Sequence, residues 1–443
     1  MLGGSVTPAA RLVGVLDATF AGDGIATASG VYHVLDVAIQ PIRGSERYLA
    51  AVQAASRDPA ATHGDWMVLA YTPGGSPDPT FGAAGDGTVR LFENDPNSTV
   101  AYDLSLDARH RVVVAGTSTV RTIPVYGNDG SRPGTPGCTG LTVVRLTPDG
   151  RLDPSFNGTG VATVWAGSPD GYDELGVSAI AVPASLGGGV LATGLCFYVE
   201  SPARSGTPAR INRRTFLAKF RDDGTLDDAF GTNGIAYDPR SSSPVRGSAL
   251  QRDGKIVVAH HLEYAAGGSA ATYDWVVSRF TPTGALDSTF GSGGRVVRRG
   301  ARVRMMTVSA TDDAIVALGD AGATCGDGLV ARYLANGKPD PTFDGDGCAS
   351  IPGWANGAGA VALQPDGRVV FCGHALDDSS SHALVGRLNR DGAPDASFGG
   401  TGCAPSLANG WWLAVAEAAD GIVVVGLPDP GSRGDVVVAR YRK

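Results

Sequence analysis

The chain has 443 residues, 43% hydrophobic and 18% charged, a balance that belongs to globular proteins and excludes a disordered one. Its 64 Gly and 27 Pro interrupt regular structure too often for long helices. Lys+Arg 36 against Asp+Glu 44 leave a net charge of −8, so the basic footprint of a nucleic-acid binder is absent, and no apolar run approaches the ~20 residues of a membrane-spanning helix.

In chain order, residues 1–15 read as an N-terminal extension without the charged region and apolar stretch of a signal peptide, so the chain is either cytoplasmic or exported with its leader removed. LDATFAGDG follows, then a short strand IATA. The same motif returns as PDPTFGAAG, LDPSFNGTG, LDDAFGTNG, LDSTFGSGG, PDPTFDGDG and PDASFGGTG, with Phe at 20, 81, 156, 230, 290, 343 and 398. An Asp stands three residues before each Phe and a Gly four residues after it. Between motifs lie hairpin patterns such as LSLDARHRVVVAG, LQRDGKIVVAH, LQPDGRVVFCG and AEAADGIVVVG, each followed by a third strand such as LTVVRL, FLAKF, WVVSRF, LVARY, LVGRL or VVVARY. After each motif comes a short fourth strand such as VATVW or RVVRR.

Four short strands per unit, with no helical period between them, predict a propeller blade. Seven motif copies then predict one all-β domain over residues 1–443, a seven-bladed β-propeller of four-stranded antiparallel blades. The chain starts with the motif and fourth strand that its last unit lacks. Pairing Ile25 to Ala28 with Val436 to Tyr441 would close the ring and remove two free sheet edges.

The copies LQPDGRVV, VVVARY, RLTPDGRLDPSF and RFTPTGALDSTF resemble the bacterial delta-60 repeat, whose pattern is similar to ALQPDGKIVVAG, a variable stretch, ALARYNPDG and LDPTFG. The resemblance implies a β-propeller, often in exported bacterial proteins, and carries no chemistry with it. The first unit departs most, with IQPIRGSERYLAAVQ in its hairpin and Ala70 at the usual basic position.

The motif aspartates Asp17, Asp78, Asp153, Asp227, Asp287, Asp340 and Asp395 are suited to fix the turn that carries Thr or Ser and Phe. Five lie eight residues after a basic residue, which predicts the ion pairs Arg145 with Asp153, Lys219 with Asp227, Arg279 with Asp287, Arg332 with Asp340 and Arg387 with Asp395. Arg440 is expected to meet Asp17 across the closure, leaving Asp78 opposite Ala70 without a partner. Each Phe is expected to pack in the wedge between blades.

Function is sought where the units differ. Insertions at 118–140, 196–214 and 261–273 share one face and carry Tyr126, Tyr198, Arg204, Arg210, Arg213 and Arg214. Trp165, Trp354, Trp411 and Trp412, near fourth-to-first strand junctions, are candidate platforms for a sugar or peptide, with inter-blade packing as the alternative for each. Trp66 and Trp275 begin third strands and read as structural. His261, Asp320 and His374 fall at equivalent positions of successive units, but blade spacing keeps them from sharing one metal. His260 stands where five units have Gly, and Asp340, Asp344 and Asp346 lack the spacing of an EF-hand calcium loop.

Six cysteines contain no C-x-x-C pair; Cys138 and Cys196, in or beside adjacent insertions, are the best disulfide pairing if the protein is exported. Cys348 and Cys403 occupy equivalent positions of neighbouring outer strands, which argues against their pairing. No nucleophile elbow, phosphate loop or dinucleotide fingerprint is present. The expectation is a non-enzymatic, monomeric binding scaffold, secreted, periplasmic or at the cell surface, recognising a protein, peptide or glycan through its loop-rich face, with no cofactor, metal, nucleic acid or transmembrane segment. The alternative is a hydrolase or lyase whose site lies at the mouth of the central channel.

Overall fold

A computed structural model describes residues 15–55, 64–92, 98–118, 125–127, 140–165, 178–181, 184–201, 210–238, 244–264, 272–320, 328–351, 358–376, 381–404, 410–428 and 434–443. Among them are 28 strands and one short 3-10 turn, Ala184–Leu186, and no helix is long and apolar enough to cross a membrane. Four sheets are four-stranded and antiparallel. They are β10 (Ser178–Ala181) to β13 (Ile235–Asp238) with β11 (Val190–Ser201) and β12 (Arg210–Phe220) between; β14 (Gly247–Leu250), β15 (Ile256–Tyr264), β16 (Thr272–Phe280) and β17 (Arg295–Arg299); β18 (Arg302–Val308), β19 (Ile315–Asp320), β20 (Leu329–Tyr333) and β21 (Cys348–Ser350); and β22 (Ala358–Leu363), β23 (Val369–Leu376), β24 (Ser381–Leu388) and β25 (Cys403–Ala404). A fifth joins β5 (Ser98–Leu106), β6 (Val112–Ser118), β8 (Gly140–Leu146) and β9 (Val161–Trp165), with β7 (Val125–Gly127) from the 118–140 insertion added in parallel to β9.

The remaining seven strands form one continuous sheet: β26 (Trp411–Glu417), β27 (Gly421–Leu427), β28 (Gly434–Arg442), β1 (Ile25–Ile42), β2 (Ser45–Ala54), β3 (Asp65–Tyr71) and β4 (Thr88–Leu91). The expected seven separate blades are thereby corrected to five. The cause is β1, which runs 18 residues without a turn. Its first part pairs with β28, from Ile25 opposite Ala439 to Val31 opposite Gly434, and the rest pairs with β2 as far as Ile42 opposite Ser45. A strand hydrogen-bonded on both sides leaves no edge at which one blade ends and the next begins. The expected union of the chain ends is present in this sheet. First strands of successive sheets touch one another, and both β5 and β26 touch β1, so the ring closes through the continuous sheet.

Second strands are sandwiched between neighbouring sheets and read as unbroken apolar runs, such as Ile422 to Val425, all at 0% exposure. The cores lie between sheets; one joins Val113, Ala115 and Phe156 to Val190, Phe216 and Phe220. All seven motif Phe are buried, and each contributes roughly 1.5–3 kcal/mol of burial. First strands carry a register break between Ala101 and Asp103, Val303 and Met305, Ala358 and Ala360, and Trp412 and Ala414. Such bulges re-aim the extra residue, here Tyr102, Arg304, Gly359 and Leu413.

The end of each sheet bearing the motif, called the lower end here, is held by one repeated clasp. One oxygen of the Asp accepts the N–H and O–H of the Thr or Ser two residues on, as in Asp153 with Ser155 at 3.0 and 2.7 Å. The other oxygen faces a cation: Arg145–Asp153 2.8 Å, Lys219–Asp227 3.0 Å, Arg279–Asp287 2.8 Å, Arg332–Asp340 3.1 Å, Arg387–Asp395 2.8 Å and, across the termini, Arg440–Asp17 2.9 Å. The unpartnered Asp78 is a second correction, because Arg47 of β2 lies 2.5 Å away and is as buried as its counterparts. Arg47 occupies the position held elsewhere by Arg111, Lys255 and Arg368, the basic residue opening the second strand, and these also lie within 3.2, 4.0 and 3.3 Å of their motif aspartates. When the third strand supplies Ala70, the second strand supplies the charge.

The clasp also joins one sheet to the next. Arg47, Arg279, Arg332 and Arg440 donate to the main-chain oxygens of Pro148, Ala335, Arg390 and Pro73 in the following unit, at 2.9, 2.5, 3.2 and 2.8 Å. The residue after the Phe donates its N–H to the same turn, as Gly82 does to Asp149 at 2.8 Å. That turn needs Gly150: at φ +84° a side chain is strained, and a Cβ would stand 2.9 Å from the Phe81 ring.

Candidate ligand-binding face

The opposite, upper end carries the second-to-third strand connections and the passages into the next sheet, and there the units diverge. The 196–214 insertion is largely a β-ribbon rather than a loop, pairing Cys196 with Arg214 through to Ser201 with Arg210. The passage from β17 to β18, RVVRRGARVR, places Arg295, Arg298, Arg299, Arg302 and Arg304 within ten residues that contain no carboxylate. Arg302 lies over Tyr273, its guanidinium carbon 3.6 Å from the ring centre, and His261 meets the same ring edge-on at 5.2 Å. Arg304 sits at the bulge of β18. In the sheet beyond, His374 stacks on Trp411 of β26 at 4.7 Å and 15°.

Electrostatics mark these groups as one neighbourhood. Burial, then the positive charges of Arg246, His260, Arg302 and Arg304, push His261 down to about 3, so its imidazole is neutral. Burial and Arg304 lower His374 as well. Arg302, Arg304, Tyr273, Arg246, His374 and Trp411 are all half-buried, a state that braces a side chain and leaves part of it to solvent.

Two other polar constellations lie between neighbouring sheets. Asp238, Ser278, His260 and Arg295 form a cluster between two sheets: Ser278 Oγ donates to Asp238 Oδ2 at 2.7 Å, His260 Nε2 lies 3.2 Å from that hydroxyl, and Arg295 ion-pairs with Asp238 Oδ1. Burial would raise the Asp238 carboxyl, but the bonds from His260, Arg295 and Ser278 outweigh it and hold it well below the usual range. A serine that gives its proton to the carboxylate is not activated by the histidine, and Asp238, His260 and Ser278 are fully buried. This is a staple between sheets, and it explains why His260 replaces Gly. Asp36 of β1 and Asp103 of β5 form the second constellation. Leu104 N–H donates to both carboxylates, at 3.2 and 2.9 Å. Enclosure by protein, with slight solvent contact left, and the adjacent Asp103 raise Asp36 well above the ordinary carboxylate range.

Of the residues singled out in the sequence, Trp411 lies on the upper face. Trp412, one residue on, points the other way: it is 2% exposed, edge-on to Tyr441, and belongs to the core. Trp66 and Trp275 are buried, as read. Trp165, Tyr126 and Tyr198 fall in β9, β7 and β11, with side chains outside the described residues, and Trp354 lies outside them altogether. So does Cys138, and with it the pairing to Cys196, whose side chain is likewise outside; Cys348, Cys372 and Cys403 are free thiols. Among the described residues no three His, Cys, Asp or Glu are grouped to hold a metal. Asp340 and Asp346 are instead engaged in turns, with Thr342 and with the Cys348 N–H. Sequence reading missed Arg246, Arg302, Arg304 and Tyr273, although the arginine-rich run 295–304 was there to flag them.

One sequence family matches, described as a domain of unknown function (DUF5122) beta-propeller, over residues 139–156, 251–290 and 364–398. No curated protein matches. Solved structures similar to the chain include a polysaccharide lyase of family PL25, an ulvan lyase, with 11% identity, 95% of each chain covered and TM-score 0.43. A puromycin-hydrolyzing peptidase of Mycobacterium tuberculosis shares 11% identity over 90% of this chain and 53% of its own, with TM-score 0.43. The hydrazine synthase of Kuenenia stuttgartiensis shares 12% over 79% of this chain, TM-score 0.38, and the chain spans 44% of its length. None of these activities is carried to this protein.

Proposed function

We propose that the protein is a non-enzymatic, extracytoplasmic binding scaffold that takes a ligand on its upper face. The observation that carries this is the contrast between the repeated lower clasps, present whatever the ligand, and the other end, where the sheets differ and half-buried aromatic groups such as the His374–Trp411 stack lie outside the repeat. Residues needed by every sheet serve the sheet; residues used once serve something outside it. The test is a glycan-array and pull-down screen with the intact chain, repeated with Trp411→Ala. A ligand whose capture falls with that change supports the proposal. Ligands captured equally by both proteins refute it.

A second possibility, a hydrolase or lyase, draws on one observation: Asp36 of β1 stands beside Asp103 of β5, and burial with that neighbour raises its proton affinity, the direction a general acid needs. Turnover of a polysaccharide abolished by Asp36→Asn would favour it. Binding without turnover would count against it.

A further inference from the structure

We propose that Asp36 and Asp103 share one proton across the seam between the seven-stranded sheet and its neighbour, and that this proton is a latch: the seam is held while the pair keeps it and loosens once both carboxyls are charged. The latch belongs to the ring itself and does not rest on which ligand the upper face takes.

Its placement comes from a recurring bulge. The first strands skip one residue of their pairing just before Asp36 in β1, Asp103 in β5, Met305 in β18, Ala360 in β22 and Ala414 in β26. The residue after the skip therefore fills an equivalent site in each strand. Ala360 and Ala414 are buried there and Met305 packs against two inter-sheet cores, so this is a place where sheets meet. Two neighbouring units put carboxyls in it instead.

The donors bring the two together. Asp36 Oδ1 accepts the Val37 N–H at 2.8 Å, Asp103 Oδ1 accepts the Leu104 N–H at 2.9 Å, and Asp36 Oδ2 reaches the same Leu104 N–H at 3.2 Å. One N–H thus serves a carboxyl from each sheet. Two carboxylates with so little donor capacity between them repel, whereas an acid donating to a carboxylate makes a bond about twice as strong as a neutral one. Enclosure, the charge of Asp103 and its hydrogen bond accordingly raise Asp36 well above the ordinary carboxylate range, and the two titrate as a pair.

Other charges on the strands packed around the pair have their own places among the described residues. β2 sets Ala51 opposite Asp36, and its Arg47 is spent on Asp78 while Glu46 accepts from Tyr48. β6 sets Ala115 opposite Asp103 and, like β10 and β27, has no titratable side chain. Asp65 of β3 pairs with Arg90, and Tyr71 of that strand is buried. Glu417 of β26 pairs with Lys443, Arg440 and Arg442 of β28 face Asp17, Tyr441 is in the core, and Asp435 lies opposite Ser29. On the two strands themselves, His33 is exposed and Tyr102 is the bulged residue beside Asp103.

The unfolded chain gives up this proton to solvent near the ordinary 3.8, and the folded protein keeps it to higher pH. The contribution of the latch is therefore whole below about pH 3.8 and is lost as pH rises through the raised folded value, the reverse of the motif aspartates and of His261.

The experiment is urea unfolding of the intact chain from about pH 4.5 to about pH 7.5, beside Asp36→Asn, which keeps the shape and a donor but has no proton to lose. The folded-to-unfolded ratio of the wild type, divided by that of the variant, should fall as pH rises, by up to about tenfold per pH unit, the limit for one proton. His261 and the motif aspartates are common to both proteins and cancel. Asp103→Asn should abolish the fall as well, and it carries the test if Asp36→Asn does not fold. Hydrogen exchange locates the effect: peptides 33–42 and 98–106 should lose protection in the wild type relative to the variant as pH rises, while 302–308, with Met305 at the equivalent site, exchanges alike in both. Parallel stability curves overturn the inference. So does a ratio that rises with pH, or a fall with exchange unchanged in both strands.

Discussion

The two ends of the same sheets use arginine for opposite purposes. At the lower end Arg145 is 1% exposed, with its donors spent on Asp153, Ser155 and Asp222 and its face on Phe156, and the arrangement recurs around the ring. At the upper end Arg302 is half-buried and placed over one ring, outside the repeated clasp. Repetition with full satisfaction marks structure; singularity with partial exposure marks a surface kept for use.

The sharpest way to break that contrast is to strip a clasp. Arg145→Ala leaves Asp153 to Arg111 alone and removes the bond to Ser155 and the packing on Phe156, so a loss of about 3 kcal/mol in urea unfolding is expected. Arg47→Ala should cost a similar amount if the second strand truly replaces the missing cation at Ala70; a loss no larger than that of an exposed substitution would show that Asp78 does not need it. The tryptophan pair separates the ends within one strand. Trp412→Ala empties a core site and should cost about 3–5 kcal/mol, whereas Trp411→Ala should stay within about 1 kcal/mol.

Acid gives a smaller, graded effect. The folded values of Asp17, Asp78, Asp153, Asp227, Asp287 and Asp395 lie below the ordinary 3.8: burial alone would raise them, but bonds from Thr, Ser, Arg or Lys outweigh it. Their contribution is whole above about pH 4 and is lost as pH falls through the lowered values. His261 acts earlier. Its folded value of about 3 lies below the unfolded 6.5, so the unfolded chain takes up its proton first and stability declines from pH 6.5 downward. His261→Asn should flatten unfolding free energy between pH 6.5 and 4.5; an unchanged slope would mean the imidazole is not buried neutral.

The smallest expected change is a gain. The third sheet has a reduced clasp, with Lys219 for Arg and Ala229 for Thr or Ser, and beside it lies a cleft of about 50 Å³ lined by Leu191, Lys219, Ile256 and Pro282. Lys219→Arg with Ala229→Thr restores the donor fork and the hydroxyl together. A rise of about 1 kcal/mol is expected from the added hydrogen bonds, and a fall would mean the cleft cannot admit the guanidinium.

What could be read from sequence divides along the same line. Strands, hairpins, the aspartate turns and six of the ion pairs were legible because each is fixed by spacing within one unit or across the closure. Arg47 was not, because it reaches Asp78 from a different strand. The count of blades failed for a related reason: seven motifs were visible, but whether a chain turns between Ile25 and Ile42 is decided by hydrogen bonding on both sides of β1. Trp411 and Trp412 could not be told apart without knowing which face of β26 meets the core. The upper face stayed hidden because Arg302, Tyr273, His374 and Trp411 are far apart in sequence and come from several sheets.

Arg302 and Arg332 belong to one sheet and lie at opposite ends of it. Arg332 is 4% exposed and ties Asp340, Asp312 and the Arg390 carbonyl together. Urea unfolding of Arg332→Gln and Arg302→Gln, measured side by side, is therefore the most direct test that the lower end holds the ring while the upper end serves a ligand. A loss of about 3–5 kcal/mol for Arg332→Gln and less than about 1 kcal/mol for Arg302→Gln is predicted. Equal losses, or a larger one for Arg302→Gln, would contradict it.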